Sequence, residues 1–351
     1  MIENLSVGKK LLSNLKKVLK FGLIHLMARI GRHYWPFQKD QLLILTSYRT
    51  LPGDTSVLRF EQPGMYVKPE TLAMHIDTLL QEGFEIVSLS DWLKKKQRKE
   101  SLPAKAVAIT FDDGWRDNFT YALPILKDKK CPATIFVVSR LVGYHGDFWP
   151  GRLAKAVLHI AATEKELWQQ PEAASIKELF GELKDLNTIS IEEFDRAISG
   201  AKIFSDSQMH SMLDDLEEAF KTPLAEERVL IDEVELRGFV DSGLIDIGSH
   251  TCDHIRLLDT LSVVAMQEQV VDSAKELKLL AKQACELFCF PNGDYSEQSL
   301  ELVKENYLAA CTTVHGWNNA GSDMHLLRRV NMHEDMTNTR IKFLARIGSF
   351  I

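Results

Sequence analysis

The sequence predicts an α/β protein with a mostly parallel sheet, built either as two domains or as one (β/α) barrel with an insertion. Two observations lead there: the chain has 351 residues, 45% hydrophobic and 26% charged, and short apolar runs alternate with segments of helical spacing. Gln41–Thr46 (QLLILT) suits a buried strand, Pro69–Gly83 has helical spacing ending in Gly, and Glu85–Leu89 alternates like a strand before a helix at Ser90–Lys96. Ala106–Phe111 (AVAITF) is the strongest strand signal, followed by a helix at Asn118–Lys129 and a strand at Ala133–Val138. The rhythm stops near Trp149 and resumes with Gly243–Gly248, the helix Ser262–Leu280, the strand Leu287–Phe290, the helix Glu297–Glu305 and the strand Ala309–Thr313. Between these halves, residues 150–235 read as a helical insertion.

Charge is unevenly distributed. The net charge is −7, which argues against a nucleic-acid partner, because phosphate contacts demand clustered Lys and Arg. Residues 164–237 hold 19 acidic against 8 basic side chains; the expectation is a solvated helical cap rather than a partner surface. The N-terminus is the opposite. Leu12, Leu15, Leu19, Leu23, Leu26 and Ile30 mark one face of a helix over residues 5–32, and Lys9, Lys10, Lys16, Lys17, Lys20, Arg29 and Arg32 make the rest basic. Phe21–Ala28 is its longest uncharged run, too short for the roughly 20 residues that cross a bilayer. Residues 1–38 are therefore expected to form a separate amphipathic helical segment ahead of an α/β barrel unit at 39–351. This helix either docks on the protein or lies in an anionic membrane surface, with Tyr34, Trp35 and Phe37 as interface anchors. Cys131, Cys252, Cys285, Cys289 and Cys311 have no CxxC spacing and read as free thiols in a reducing compartment. A cytoplasmic location follows, peripheral at the inner face of the membrane if the helix binds lipid.

Three strand ends carry unusual polar residues. In Thr110-Phe111-Asp112-Asp113-Gly114 two carboxylates sit side by side, an arrangement that makes most sense if a cation neutralises one while the other takes a proton. In His250-Thr251-Cys252-Asp253-His254 two imidazoles four residues apart can turn toward one metal ion. In Cys289-Phe290-Pro291-Asn292-Gly293 the Pro and Gly fix a tight turn around Asn292, which can aim a backbone N–H outward. In a barrel all three ends collect at one face.

TFDDG, HTCDH and FPNG, in this order, resemble the first three motifs of the polysaccharide deacetylase family, the NodB-homology or carbohydrate esterase 4 group. The resemblance covers most of residues 41–348, and the helical insertion after Phe148-Trp149 is similar to that of the exopolysaccharide and lipid-linked glycan branch. It implies a distorted (β/α) barrel and a metal-dependent N-deacetylase acting on an N-acetylated glycan or a lipid-linked oligosaccharide. Asp113, His250 and His254 would be the metal ligands, Asp112 the general base, and the Asn292 backbone N–H an oxyanion donor within a substrate-binding Pro291-Asn292-Gly293 turn. The expected metal is zinc, with cobalt and nickel also suited to two imidazoles and a carboxylate.

The chain departs from the family pattern in three places. Cys289 stands where relatives carry an Arg that orients the catalytic Asp, so Arg328 or Arg329 is expected to take over. The last motif reads Asn331-Met332-His333, which makes His333 the candidate general acid and His315 its alternative. Tyr48, in ILTSYR, replaces the His of the family's opening YHR. Trp317 is a candidate for stacking on a sugar face or for the core. The rival reading is a catalytically impaired, deacetylase-like glycan-binding or scaffold protein, supported by the missing Arg and the irregular last motif.

Overall fold

The computed structural model describes residues 41–53, 61–163, 190–221 and 228–348, with the single positions 22, 171, 174 and 178. The expected helix at 5–32, position 22 apart, and the anchors Tyr34, Trp35 and Phe37 lie outside the described residues.

Seven parallel strands close into a barrel: β1 (Leu42–Ser47), β5 (Ala106–Phe111), β6 (Ala133–Val137), β7 (Ile245–Ser249), β8 (Leu287–Cys289), β9 (Ala309–His315) and β10 (Leu327–Asn331), with β1 pairing both β10 and β5. The closure is uneven. β4 (Glu85–Ile86) takes the first half of one β5 edge, and β6 pairs only with Thr110 and Phe111 in the second half. A separate pair, β2 (Arg49–Thr50) and β3 (Tyr66–Val67), flanks the mouth.

Period-two alternation sorts the strand residues into two layers. Leu42, Ile44, Ala106, Ala108, Leu287, Cys289, Ala309, Cys311 and Leu327 share a cluster inside the barrel with Phe136. Leu43, Leu45, Val107 and Val330 face outward onto Phe343 and Leu344 of the last helix, Arg340–Ile347. Every β1 and β5 residue is buried on both faces, which is why these segments read as unbroken apolar runs. Gly248 is small for a reason: a Cβ there would stand 2.5 Å from the Phe136 ring that fills the barrel.

The surrounding helices are α1 (Pro69–Gln81), α2 (Leu89–Gln97), α3 (Leu123–Asp128, preceded by a π-turn), α4 (Trp149–Thr163), α5 (Ile191–Ala201), α6 (Asp206–Phe220) and α7 (Glu233–Asp241). Beyond β7 come α8 (Val263–Gln267), α9 (Ser273–Ala281), α10 (Glu297–Asn306), α11 (Glu334–Thr337) and α12 (Arg340–Ile347). The strand expected over 85–89 stops after Ile86, because Ser88 accepts a hydrogen bond from the Asp91 N–H at 3.2 Å and starts α2.

The insertion is more than a solvated cap. Leu153, Val157, Phe194, Ile198, Met209 and Leu213 of α4, α5 and α6 form their own buried core, so these helices make a lobe beside the barrel mouth. Part of its acidity is structural: Asp214 and Glu217 pair at 2.6 and 3.1 Å with Arg152, whose side chain is only 4% exposed.

Candidate active site

The barrel alternation continues past β5 and divides the carboxylate pair. Residues 106, 108 and 110 point inward, and Asp112 follows them into the top of the barrel, 1% exposed. There it meets Arg329 of β10, itself 1% exposed. Both Asp112 oxygens accept from this guanidinium, Oδ1 from Nη1 and Oδ2 from Nη2, each at 2.7 Å. The rest of the fork is satisfied by Thr312 O, Thr46 Oγ1, Thr110 Oγ1 and Cys289 Sγ. Arg328 is exposed instead. Of the two expected orienting residues, the structure brings Arg329 to Asp112.

Asp113 turns the other way. Its φ of 75° lies in the left-handed region, as do Thr251 at 66° and His254 at 58°, conformations that cost these residues of order 1–3 kcal/mol each and concentrate at working sites. The loop is held in that shape from outside, by Ser139 N–H to Thr251 O at 3.1 Å and by Gln269 Oε1, which accepts from the Cys252 and Asp253 N–H groups at 3.1 and 3.0 Å. The result is convergence: His250 Nε2 and His254 Nε2 stand 3.3 and 3.4 Å from Asp113 Oδ1.

These three residues fit a divalent cation. Asp113 Oδ1 is buried with no hydrogen-bond partner among the described residues, and its other oxygen accepts from Trp115 Nε1 at 2.9 Å. His250 Nδ1 lies 2.7 Å from Cys289 O, a bond that places the ring proton on Nδ1 and leaves the Nε2 lone pair facing Asp113. Burial alone would raise the Asp113 carboxyl, but the two imidazoles hold it well below the usual carboxylate range. A second group, Asp112, His250 and Cys289, is also close enough to share an ion. That group is already compensated: Arg329 occupies both Asp112 oxygens, and burial pushes the Cys289 thiol well up, keeping it protonated.

Aromatic residues brace Asp113 and His254. Phe148 lies 5.1 Å from Trp115 and 5.0 Å from His254, and the Arg49 guanidinium sits 4.3 Å over Trp115, held by Asp117 and Glu61. The DDGW run carried the only sequence signal for Trp115. A cleft of about 260 Å³ opens above Asp112, Asp113, His250 and His254. Asn292, with φ 55°, borders it from the tight turn after β8, where a Cβ on Gly293 would stand 2.2 Å from Thr313 Oγ1. Trp149, Phe194, Ile198, Lys202, Phe204 and Asp206 supply the opposite wall, which corrects the reading of the insertion as a purely solvated cap.

Several expected site residues lie elsewhere. His333 and His315 are not among the residues that line the cleft; the His333 ring turns toward Asp335, 3.4 Å away, and His315 is exposed at the end of β9. Trp317 belongs to the outer core, 6.2 Å from Phe84, and donates from Nε1 to Ile347 O at 2.7 Å. Pro291 is buried in the turn and Asn292 alone of that tripeptide reaches the cleft.

Comparison with known proteins agrees with the motifs. A model of the polysaccharide deacetylase family matches residues 99–178 and 207–310, more than half of the chain, and the chain belongs to that family. A curated Bacillus subtilis (strain 168) protein, "Putative polysaccharide deacetylase YxkH", is 22% identical over 264 residues; these are 75% of this chain and 64% of that protein. Two solved structures share the fold. Streptococcus pyogenes deacetylase PplD, in complex with acetate, superimposes with a TM-score of 0.58 at 16% identity, covering 88% of this chain and 99% of that one. IcaB from Ammonifex degensii gives 0.56 at 18% identity, covering 88% and 98%.

Proposed function

We propose that the protein is a metal-dependent hydrolase that removes acetyl groups from N-acetylhexosamine units of a polysaccharide or of its membrane-linked precursor. The observation that carries this reading is the division of the carboxylate pair: Asp113 faces two imidazoles, while Asp112 is locked by Arg329 at the floor of the same cleft.

Asp113, His250 and His254 would hold the cation, which when bound supplies Lewis acidity toward the acetamide carbonyl and an attacking water. Zinc, cobalt and nickel all suit this donor set. Asp112 takes the proton of that water as its oxygen adds to the acetyl carbon. The two-point grip of Arg329 fixes the direction in which Asp112 presents itself, so no reorientation is needed at the moment of reaction. The Asn292 backbone N–H, in the turn bordering the cleft, is the candidate donor to the oxygen that gains charge. The proton on Asp112 must finally reach the sugar nitrogen as the C–N bond breaks. One support of the scaffold reading, the missing Arg, is weakened by the contact that Arg329 makes with Asp112. A membrane-linked substrate rests on the basic amphipathic pattern of residues 5–32.

The test is acetate release from N-acetylated hexosamine oligosaccharides by zinc-loaded protein. Asp112→Asn should retain metal and lose about 10²–10⁴-fold in kcat; unchanged turnover would remove Asp112 as the base.

A further inference from the structure

The leaving nitrogen needs a proton, and neither expected histidine lines the cleft. Tyr48 does. It follows β1 directly, its carbonyl oxygen accepts from Asn118 Nδ2 at 2.7 Å, and it borders the cleft with Asp112 and Asp113. Among the described residues no group hydrogen-bonds its hydroxyl, which leaves that O–H for whatever enters the cleft. Strand order gives it a side. Around the barrel β1 neighbours β5 on one flank, while β7, which carries the histidines, lies beyond β6 on the other. An acetamide whose oxygen lay toward His250 and His254 would have Tyr48 on the β1 side of the same cleft, within its lining.

We propose that Tyr48 is a catalytic residue that hydrogen-bonds the nitrogen of the scissile amide and passes its hydroxyl proton to it; this rests on the deacetylase reading above. The attacking water gives its oxygen to the acetyl carbon and one proton to Asp112. As the C–N bond breaks, the nitrogen takes the Tyr48 proton and Asp112 returns its own to the phenolic oxygen. The enzyme ends unchanged, and the products are the free amine and acetic acid, which ionises in solution. Burial pushes the Tyr48 phenol up, and the Asp112 carboxylate adds to this, so the hydroxyl stays protonated before each turnover and serves only in this coupled transfer.

The experiment compares Tyr48→Phe with wild type, both zinc-loaded, on an N-acetylhexosamine oligomer and on an aryl acetate, whose leaving group needs no proton. Metal content and melting temperature are measured on both. Loss of about 100-fold in kcat on the amide, with the ester within about twofold and metal retained, is the expected result. An equal loss on both substrates, or none on the amide, overturns the role of Tyr48 and leaves the deacetylase reading standing. Wild type that cleaves the ester and no acetamide overturns both.

Discussion

Arg329 and Asp112 face each other across the inside of the barrel, 217 positions apart in sequence, through two parallel hydrogen bonds of 2.7 Å. Both are almost completely enclosed. A carboxylate buried this deeply needs a matching charge, and a guanidinium supplies two donors in the geometry that a carboxylate accepts. Cys289, where the resemblance implies an orienting Arg, is one of the side chains packed against this pair. In this chain the two donors come from Arg329 of β10.

Arg329→Lys should lower kcat about 10–100-fold with a modest change in KM, since lysine cannot reproduce the two-point grip. Steady-state kinetics beside a thermal melt checks this. Wild-type kcat would mean that Asp112 needs no orientation from Arg329.

Much of this was legible from the chain. AVAITF is a strand over the expected residues because burial on both faces writes an unbroken apolar run. β10 leaves no such signal: Leu-Arg-Arg-Val-Asn looks like a polar loop, since one arginine of the strand faces solvent and the other is enclosed by partners distant in sequence. The loop that brings His250 and His254 to Asp113 could be read from two histidines at a strand end. The direction of His333 could not, because the chain continues past β10 into α11 and turns the His333 ring toward Asp335 instead of the cleft.

Phe204→Ala, at the lobe wall of the cleft and packed on the lobe's own core, should raise KM for an oligosaccharide about tenfold and leave kcat near wild type, because an apolar part of the wall is lost while Asp112, Asp113 and the histidines keep their places. A fall in kcat with KM unchanged would show that the lobe acts on the reaction rather than on binding.

His75 sets a pH dependence of stability. It is 3% exposed, stacks on Phe343 at 4.4 Å, and its Nε2 lies 2.8 Å from Thr337 O. Burial lowers it from 6.5 to about 4. The unfolded chain therefore takes up a proton below pH 6.5 that the native state refuses until about pH 4, and stability is lost as pH falls through that window, by up to about 3 kcal/mol from this group. Urea unfolding of wild type and His75→Gln between these limits should show a shallower slope in the variant. Identical slopes would exclude His75 as the source.

Removing residues 1–36 should reduce partition onto anionic phospholipid vesicles while leaving the melting temperature of the remainder within a few degrees, because the basic amphipathic pattern is confined to that segment. Equal partitioning of both proteins would contradict a membrane role for it.

The proposed activity depends on an ion that Asp113, His250 and His254 would share. Elemental analysis of protein purified with zinc supplied, for wild type and His250→Ala side by side, tests it without assuming a substrate. About one equivalent of a transition metal in wild type, lost in the variant, is the expected result. Wild type that binds no metal, or a variant that keeps it, would contradict the account.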